Sequence, residues 1–128
     1  MEVAGNHKNL VNKISVLCQL ILQGDTLKAM ELFYADHVTM QENEDEPRVG
    51  KEICLEHERK NLKRVKSLES KLLRQAINTE NQTVFTEWQY IFTTKDNKQL
   101  KLTEVSMQQW ENEMIVHEKF YYKEVKPV

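Results

Sequence analysis

Residues 83–122 decide the fold, and they read TVFTEWQYIFTTKDNKQLKLTEVSMQQWENEMIVHEKFYY. Apolar and polar residues alternate within three runs of this stretch, near 83–94, 99–110 and 114–123, and short polar turns separate the runs. Alternation with period two, together with many β-branched and aromatic residues, predicts β-strands. A fourth run lies near 68–79. Because these strands exceed the usual five or six residues, we expect one antiparallel sheet that curves strongly.

The first half of the chain has helical spacing instead. Apolar residues recur at helical intervals over 10–22, and Gly24 follows as a stop signal. Asp25 is placed to cap a second helix, and Gly50 opens a third. A short run with period two, near 38–41, predicts one further strand between them. The pattern predicts an α+β fold with three N-terminal helices packed on the sheet.

The third predicted helix places polar residues on a face that we expect to point inward. At 3.6 residues per turn, Ile53, Cys54, His57, Asn61 and Val65 share one side of it. We expect His57 and Asn61 to lie over the sheet. Basic residues cluster elsewhere on the helix, and we interpret them as a solvated face rather than a phosphate-binding patch: Arg59, Lys60, Lys63, Arg64 and Lys66.

Pairing the last three strands about turns centred on Asn97 and Asn112 puts even-numbered residues on one face. In this register Trp88 faces Ser106, and Ser106 faces Glu118. The face carries aromatic residues around a polar centre: Trp88, Tyr90, Phe92, Trp110, Phe120 and Tyr122 surround Glu104, Ser106, Gln108 and Glu118. We expect this face to line a pocket, and a slip of one residue would exchange the two faces.

The opposite face of the sheet is partly apolar. It carries, among charged residues, Ile91, Val105, Met107, Ile115 and Tyr121. An apolar patch on an outer surface suits a protein interface. We therefore predict a homodimer through the outer face of the sheet.

Composition limits the class of partner. The 128 residues fit a single domain spanning 1–128, and a net charge of −2 gives no field that would recruit nucleic acid or an anionic membrane. The opening MEVAGNHKNL lacks the pattern of a signal peptide, and no apolar run approaches a membrane span. We expect a cytoplasmic protein with reduced cysteines and a small-molecule partner.

Two segments carry a family resemblance. The run Gly24-Asp25…Tyr34-Ala35-Asp36-His37-Val38-Thr39, then an acidic loop and Gly50-Lys51-Glu52-Ile53, resembles the start of the SnoaL-like and ketosteroid-isomerase-like group. The ending Met114–Tyr122 resembles the last strand of this group, which belongs to the nuclear-transport-factor-2-like superfamily. The resemblance covers residues 10–123 and implies a cone-shaped half-barrel with an internal cavity, commonly dimeric through the sheet.

The resemblance also assigns positions within the site. Glu42 falls where ketosteroid isomerases carry their general base, Leu17 where they carry the oxyanion-hole tyrosine, and Ser106 where they carry a protonated aspartate. His57 falls at a pocket-lining position. Since two of the three catalytic identities are missing, steroid isomerisation by that mechanism is not expected. The group contains enzymes and binding domains, so the fold does not choose between them.

Two functions therefore stay open. The first is a binding domain that holds an apolar or mixed-polarity organic molecule, with seven ligand-binding candidates: Leu17, Trp88, Tyr90, Ser106, Gln108, Phe120 and Tyr122. The second is an isomerase, cyclase or dehydratase that needs no cofactor. In it Glu42, Glu104 or Glu118 acts as general base and His57 as its acid or orienting partner, while Ser106, Tyr90 or Gln108 binds an oxyanion.

Other chemistries lack their motifs. No HxxxH or HExxH pattern is present, so no metal is predicted, and a carboxylate–histidine site from Glu42, His57 and Glu118 is a weaker alternative. The chain contains no GxSxG, GxGxxG or phosphate-binding glycine loop. We expect no bound cofactor.

Overall fold

A computed structural model describes residues 2–128, with side chains from residue 7 onward. It confirms the three helices: α1 is Glu2–Leu22, α2 is Thr26–Phe33 and α3 is Lys51–Lys63. Seven strands form one sheet: β1 is Tyr34–Glu42, β2 Arg48–Val49, β3 Val65–Asn78, β4 Thr83–Thr94, β5 Gln99–Glu111, β6 Met114–Tyr121 and β7 Lys126–Pro127.

The sheet is strongly curved, as predicted, and it is antiparallel apart from one parallel pair that the sequence analysis did not foresee. Its strands follow the order β2-β1-β6-β5-β4-β3, and β7 pairs with β5. All neighbours are antiparallel except β1 and β6, which run parallel. Parallel pairing requires a crossover connection, and here the chain passes through α3 and three long strands before it returns beside β1.

The register between β4 and β5 differs from the predicted one by two residues. Trp88 pairs with Glu104 rather than with Ser106, and Thr93 pairs with Gln99. The turn is therefore centred one residue earlier than expected, with Asn97 in the left-handed region at φ 66°, which asparagine tolerates well. Because side chains alternate with period two, a shift by two residues leaves every side chain on its predicted face.

A β-bulge in β6 has a larger effect than this register shift, because it changes which side chains of the strand point inward. Trp110 pairs with Ile115 and Gln109 pairs with His117, so Val116 is an extra residue on its strand. The extra residue lets Ile115, at an odd position, and Glu118, at an even position, both point inward. Ile115 is 0% exposed, so its predicted place on the outer face was wrong. The register prediction failed because it assumed uninterrupted alternation.

The core lies between the helices and the inner face of the sheet. The rings of Trp110 and Phe33 pack with centroids 5.9 Å apart, and Trp110 is fully buried. Further buried residues come from α1, α2, β1 and β4, among them Leu10, Ile14, Leu17, Met30, Val38 and Val84. This layer of helices on one face of the sheet fixes which strand positions are enclosed.

Helix α3 is rotated relative to the prediction. Ile53, expected to point inward, is 59% exposed, whereas Cys54 and Leu55 are buried. Before the helix, Gly50 adopts φ 103°, and its backbone N–H donates to the carbonyl oxygen of Val38 at 2.8 Å. This bond ties the residue that precedes α3 to β1.

The outer face of the sheet, where we predict a dimer interface, exposes aromatic rings. Phe85 and Tyr121 are 46% and 43% exposed on this face. The homodimer stays a prediction, and a monomeric mass in sedimentation would contradict it.

Within residues 2–128, no helix combines the length and apolarity needed to cross a membrane.

The bulge at Val116 yields a stability prediction. Replacing Ile115 with Ala removes buried methyl groups from an enclosed site, so the free energy of unfolding should fall by about 2–5 kcal/mol. The control is Val49→Ala, because Val49 is 59% exposed and surface changes cost at most about 0.5 kcal/mol. Urea denaturation measures both. A near-neutral Ile115→Ala would place Ile115 outside and contradict the bulge.

Candidate functional site

A pocket of about 190 Å³ lies between the helices and the inner face of the sheet. Residues from all three helices and from six of the seven strands line it, so its shape depends on the whole fold. An apolar cavity of about 150 Å³ is large enough for benzene. The pocket therefore accommodates a molecule of about one ring with a few substituent atoms.

Aromatic rings form one wall of the pocket. Trp88, Tyr90 and Phe92 follow one another on the inner face of β4, because the strand alternates with period two. The rings of Trp88 and Tyr90 stack at 6.0 Å and 16°, and those of Tyr90 and Phe92 lie 6.3 Å apart at 31°. Tyr34 of β1 and Phe120 of β6 complete the aromatic lining.

Glu118 is held in place at the end of a buried hydrogen-bond chain. Its Oε1 accepts a short hydrogen bond from the Tyr34 hydroxyl, and its Oε2 accepts one from Gln108 Nε2 at 2.9 Å. Gln108 Oε1 in turn accepts from Trp110 Nε1 at 3.1 Å. All four side chains are buried. Among the residues that the structure describes, this carboxyl therefore has two neutral donors and no cation.

Glu104 has a different environment. Its side chain is only 7% exposed and lies in the pocket wall, next to Trp88 on the neighbouring strand. No hydrogen bond or ion pair to this carboxyl is formed by the side chains that the structure describes. Buried carboxyls without partners are costly. Glu104 therefore places a carboxyl that no described side chain satisfies inside an aromatic wall, where a ligand could contact it.

Among the described residues of the pocket wall, Glu42 and Arg48 form the only ion pair. Arg48 Nη2 lies 2.7 Å from Glu42 Oε2, and Arg48 Nε is buried without a partner among the described residues. His57, Glu58 and Asn61 of α3 lie beside this pair in the same wall. The pair joins β1 and β2 within the wall of the pocket.

Burial shifts the pKa values of the enclosed groups. Loss of water raises the pKa of Glu104 to about 8, and the charges of Glu118, Glu42 and Glu58 add to it. Burial also raises the pKa of Glu118, to about 7, although the bonds from Tyr34 and Gln108 oppose the shift. The pKa of Glu58 is raised mainly by burial.

Burial acts on the imidazole of His57 in the opposite sense. Desolvation lowers its pKa, and the charge of Arg48 lowers it further. Because the ordinary pKa of histidine is already below 7, His57 is neutral at neutral pH. It can donate or accept a hydrogen bond in the pocket, but it brings no positive charge.

The structure brings together seven of the eleven predicted site residues. The pocket wall contains Glu42, His57, Trp88, Tyr90, Glu104, Glu118 and Phe120. The other four candidates lie elsewhere. Leu17 is buried in the core behind the wall, and Gln108 supports Glu118 rather than the pocket. Ser106 is buried with an unpartnered Oγ, and Tyr122 lies beyond the end of β6, half-buried.

Several wall residues escaped the prediction, among them Arg48, Tyr34 and Glu58. Arg48 sits in a segment that the sequence marks only as an acidic loop, and Tyr34 appeared to continue an amphipathic helix. Glu58 follows Cys54 by four residues, so the helical period alone could have found it. It was missed because Ile53 was taken as the inward reference.

The side chains described here do not form a metal site. No three His, Cys, Asp or Glu side chains are arranged to hold one ion among them. The alternative metal site from Glu42, His57 and Glu118 is therefore not formed, although all three residues line the pocket.

Similarity to known proteins rests on structure. No protein-family model matches the chain, and no curated protein matches its sequence. A Mesorhizobium loti protein described as a SnoaL-like polyketide cyclase superposes with a TM-score of 0.74 at 20% identity, covering 88% of this chain and 97% of that one.

Two further structures are similar over most of their length. The epoxide hydrolase/cyclase-like enzyme SalBIII, which acts in pyran ring formation in the polyether salinomycin, has a TM-score of 0.78 at 11% identity, covering 94% and 97% of the two chains. An LEH-like epoxide hydrolase from M. tuberculosis has a TM-score of 0.72 at 13% identity, covering 91% and 84%. The chain therefore has the cone-shaped α+β fold of the SnoaL-like and nuclear-transport-factor-2-like proteins.

Proposed function

We propose that this chain binds a small organic molecule in the pocket, where aromatic rings hold its apolar part. The observation that carries the proposal is the unpartnered Glu104 carboxyl set among the rings of Trp88, Tyr90 and Phe92. Pockets that bind small molecules combine apolar walls with a few convergent polar groups. The volume of about 190 Å³ limits the ligand to about one ring and its substituents.

The polar groups of the pocket define what the ligand should carry. No described residue donates to Glu104, so a ligand that donates a hydrogen bond to it would recover part of the free energy lost on burying the carboxyl. Neutral His57 and Asn61 lie in the wall formed by α3 and provide both donors and acceptors. A ring with one hydroxyl or amino group matches this arrangement.

A filled-pocket variant tests the binding proposal. Leu68→Trp adds an indole to a lining residue of β3, so affinity for benzyl alcohol and 2-phenylethanol should fall at least tenfold because the rings no longer fit. Ile53→Trp adds the same ring to a position that is 59% exposed and should leave affinity unchanged. Protein-observed NMR shifts at Trp88 and Tyr90 measure both variants. Equal binding to wild type and Leu68→Trp would overturn the pocket as the site.

A second function, general acid–base catalysis, is favoured by the contrast between the two carboxyls. Glu118 is fixed by donors from Tyr34 and Gln108, whereas Glu104 is free to contact a ligand. Catalytic acids and bases work best with a pKa near the working pH, and burial raises the pKa of Glu104 to about 8. Two of the similar structures belong to epoxide hydrolase-type proteins, which supports small-molecule chemistry in this fold.

The raised pKa of Glu104 predicts how stability depends on pH. The folded carboxyl holds its proton to about pH 8, whereas the unfolded one loses it near pH 4.3. Between these values the folded state binds more protons, so the free energy of unfolding should decrease as pH rises, by up to about 1.4 kcal/mol per pH unit for each such group.

Glu104→Gln tests this assignment, because an amide of the same shape does not titrate. Its stability, followed by urea denaturation from pH 5 to 8, should decline less steeply than that of the wild type. Glu69→Gln provides the matched control, since Glu69 is exposed on β3. If both variants keep the wild-type slope, Glu104 is already ionised at pH 5 and the proposed acid–base role fails.

Catalysis itself is testable without a known substrate. A general base beside an enolisable ketone removes α-protons of the ketone, which D₂O then replaces with deuterium. We expect the wild type to accelerate this exchange in the one-ring ketone phenylacetone above pH 8, where Glu104 is ionised, followed by NMR. Glu104→Gln should reduce this acceleration by about 10²–10⁴, and Glu69→Gln should preserve it. If exchange proceeds at the buffer rate although the ketone is bound, the catalytic proposal is wrong and the binding proposal stands.

A further inference from the structure

We infer that the ligand of this pocket is a small organic cation, a protonated or quaternary amine attached to an apolar group. This inference rests on the binding function proposed above and specifies the ligand's charge. Two independent features carry it: an excess of carboxyls over cations in the wall, and the aromatic rings that surround the least satisfied carboxyl.

The charges in the wall do not balance. Four glutamates, Glu42, Glu58, Glu104 and Glu118, line the pocket together with a single arginine. Arg48 is bound to Glu42 at 2.7 Å, and no lysine lies in the wall as described. Three carboxyls therefore face one small volume without a cation of their own. Glu118 has only neutral donors, and Glu104 has none among the described residues.

The aromatic lining favours positive charge in the same place. The faces of aromatic rings carry negative potential, and they attract an ammonium group within about 6 Å of the ring centre. Trp88, Tyr90 and Phe92 form a continuous row beside Glu104, and Trp88 is the direct strand partner of Glu104. Rings with an adjacent carboxylate are suited to bind alkylated ammonium groups.

The arrangement fits an organic cation better than a metal ion. The described side chains provide no group of three metal-binding residues, so the carboxyls do not converge on one point. An alkylammonium ion distributes its charge over several carbon atoms and needs surrounding groups rather than a compact oxygen shell. The single ring allowed by the volume fits a phenyl or similar group next to the ammonium.

Proton release should accompany the binding of such a cation. Glu104 faces Glu118 of β6, Glu42 of β1 and Glu58 of α3, whose negative charges oppose its ionisation. Arg48, between β1 and α3, and neutral His57 belong to the same wall, as do the phenols of Tyr34 and Tyr90, which keep their protons because burial raises their pKa values. A bound cation compensates the carboxylate and favours its ionised form.

The experiment compares two probes of the same shape and different charge. Phenyltrimethylammonium and tert-butylbenzene are titrated into the whole chain by calorimetry or NMR at pH 6, 7 and 8. At pH 8 we expect the cation to bind at least tenfold more tightly than tert-butylbenzene. The affinity of the cation should rise by up to tenfold per pH unit, because its binding releases one proton. The affinity of the neutral probe should not change with pH.

Two variants locate the effect. Glu104→Gln should weaken binding of the cation at least tenfold and flatten its pH dependence, while a cooperative urea unfolding transition shows that the variant is folded. Glu69→Gln removes the same charge from the outer side of β3 and should behave as wild type.

The remaining outcomes overturn one or both proposals. If tert-butylbenzene binds as tightly as the cation, or if Glu104→Gln leaves the preference intact, the cation inference is wrong and the binding function stands. If neither probe binds wild-type protein, both the inference and the proposed binding function fail.

Discussion

The buried chain of hydrogen bonds from Trp110 through Gln108 to Glu118 and Tyr34 holds the core and the pocket in one arrangement. It connects β5, β6 and the start of β1, and the Trp110 ring packs against Phe33 at the end of α2. Each member is satisfied by the next, so the polar groups can be buried at little cost. Loss of one member would leave its neighbour unpaired, which ties the position of the pocket carboxyl to the packing of the core.

Glu104 lies outside this chain of hydrogen bonds, and its protonation state explains how the fold tolerates it. An ionised carboxylate without a partner would be very costly in an aromatic wall, but a neutral carboxyl costs much less. With a pKa raised to about 8, Glu104 stays protonated at neutral pH. The fold thus keeps a group that becomes a strong anion only when something in the pocket stabilises its charge.

The sequence determined the architecture and most of the site because alternation and helical period are strong local signals. Trp88, Tyr90, Glu104 and Glu118 were assigned to the inner face, and they line the pocket. What failed depends on non-local geometry. The bulge at Val116 reversed the face of Ile115, and α3 buries Cys54 and Leu55, so that Ile53 points outward and Glu58 lines the pocket. The bulge has no signature in residue type or spacing, whereas the helical period counted from Cys54 points to Glu58.

The carboxyls of the pocket form a coupled set, so their protons belong to the site rather than to single residues. Ionising Glu118 makes the ionisation of Glu104 harder, and the charge of Glu42 acts in the same direction. An occupant therefore changes the number of protons that the pocket holds as well as its contacts. A neutral occupant leaves Glu104 protonated, as a hydrogen-bond donor or a general acid. A cationic occupant converts it to a carboxylate, so the charge of the ligand decides which chemistry the same residue can provide.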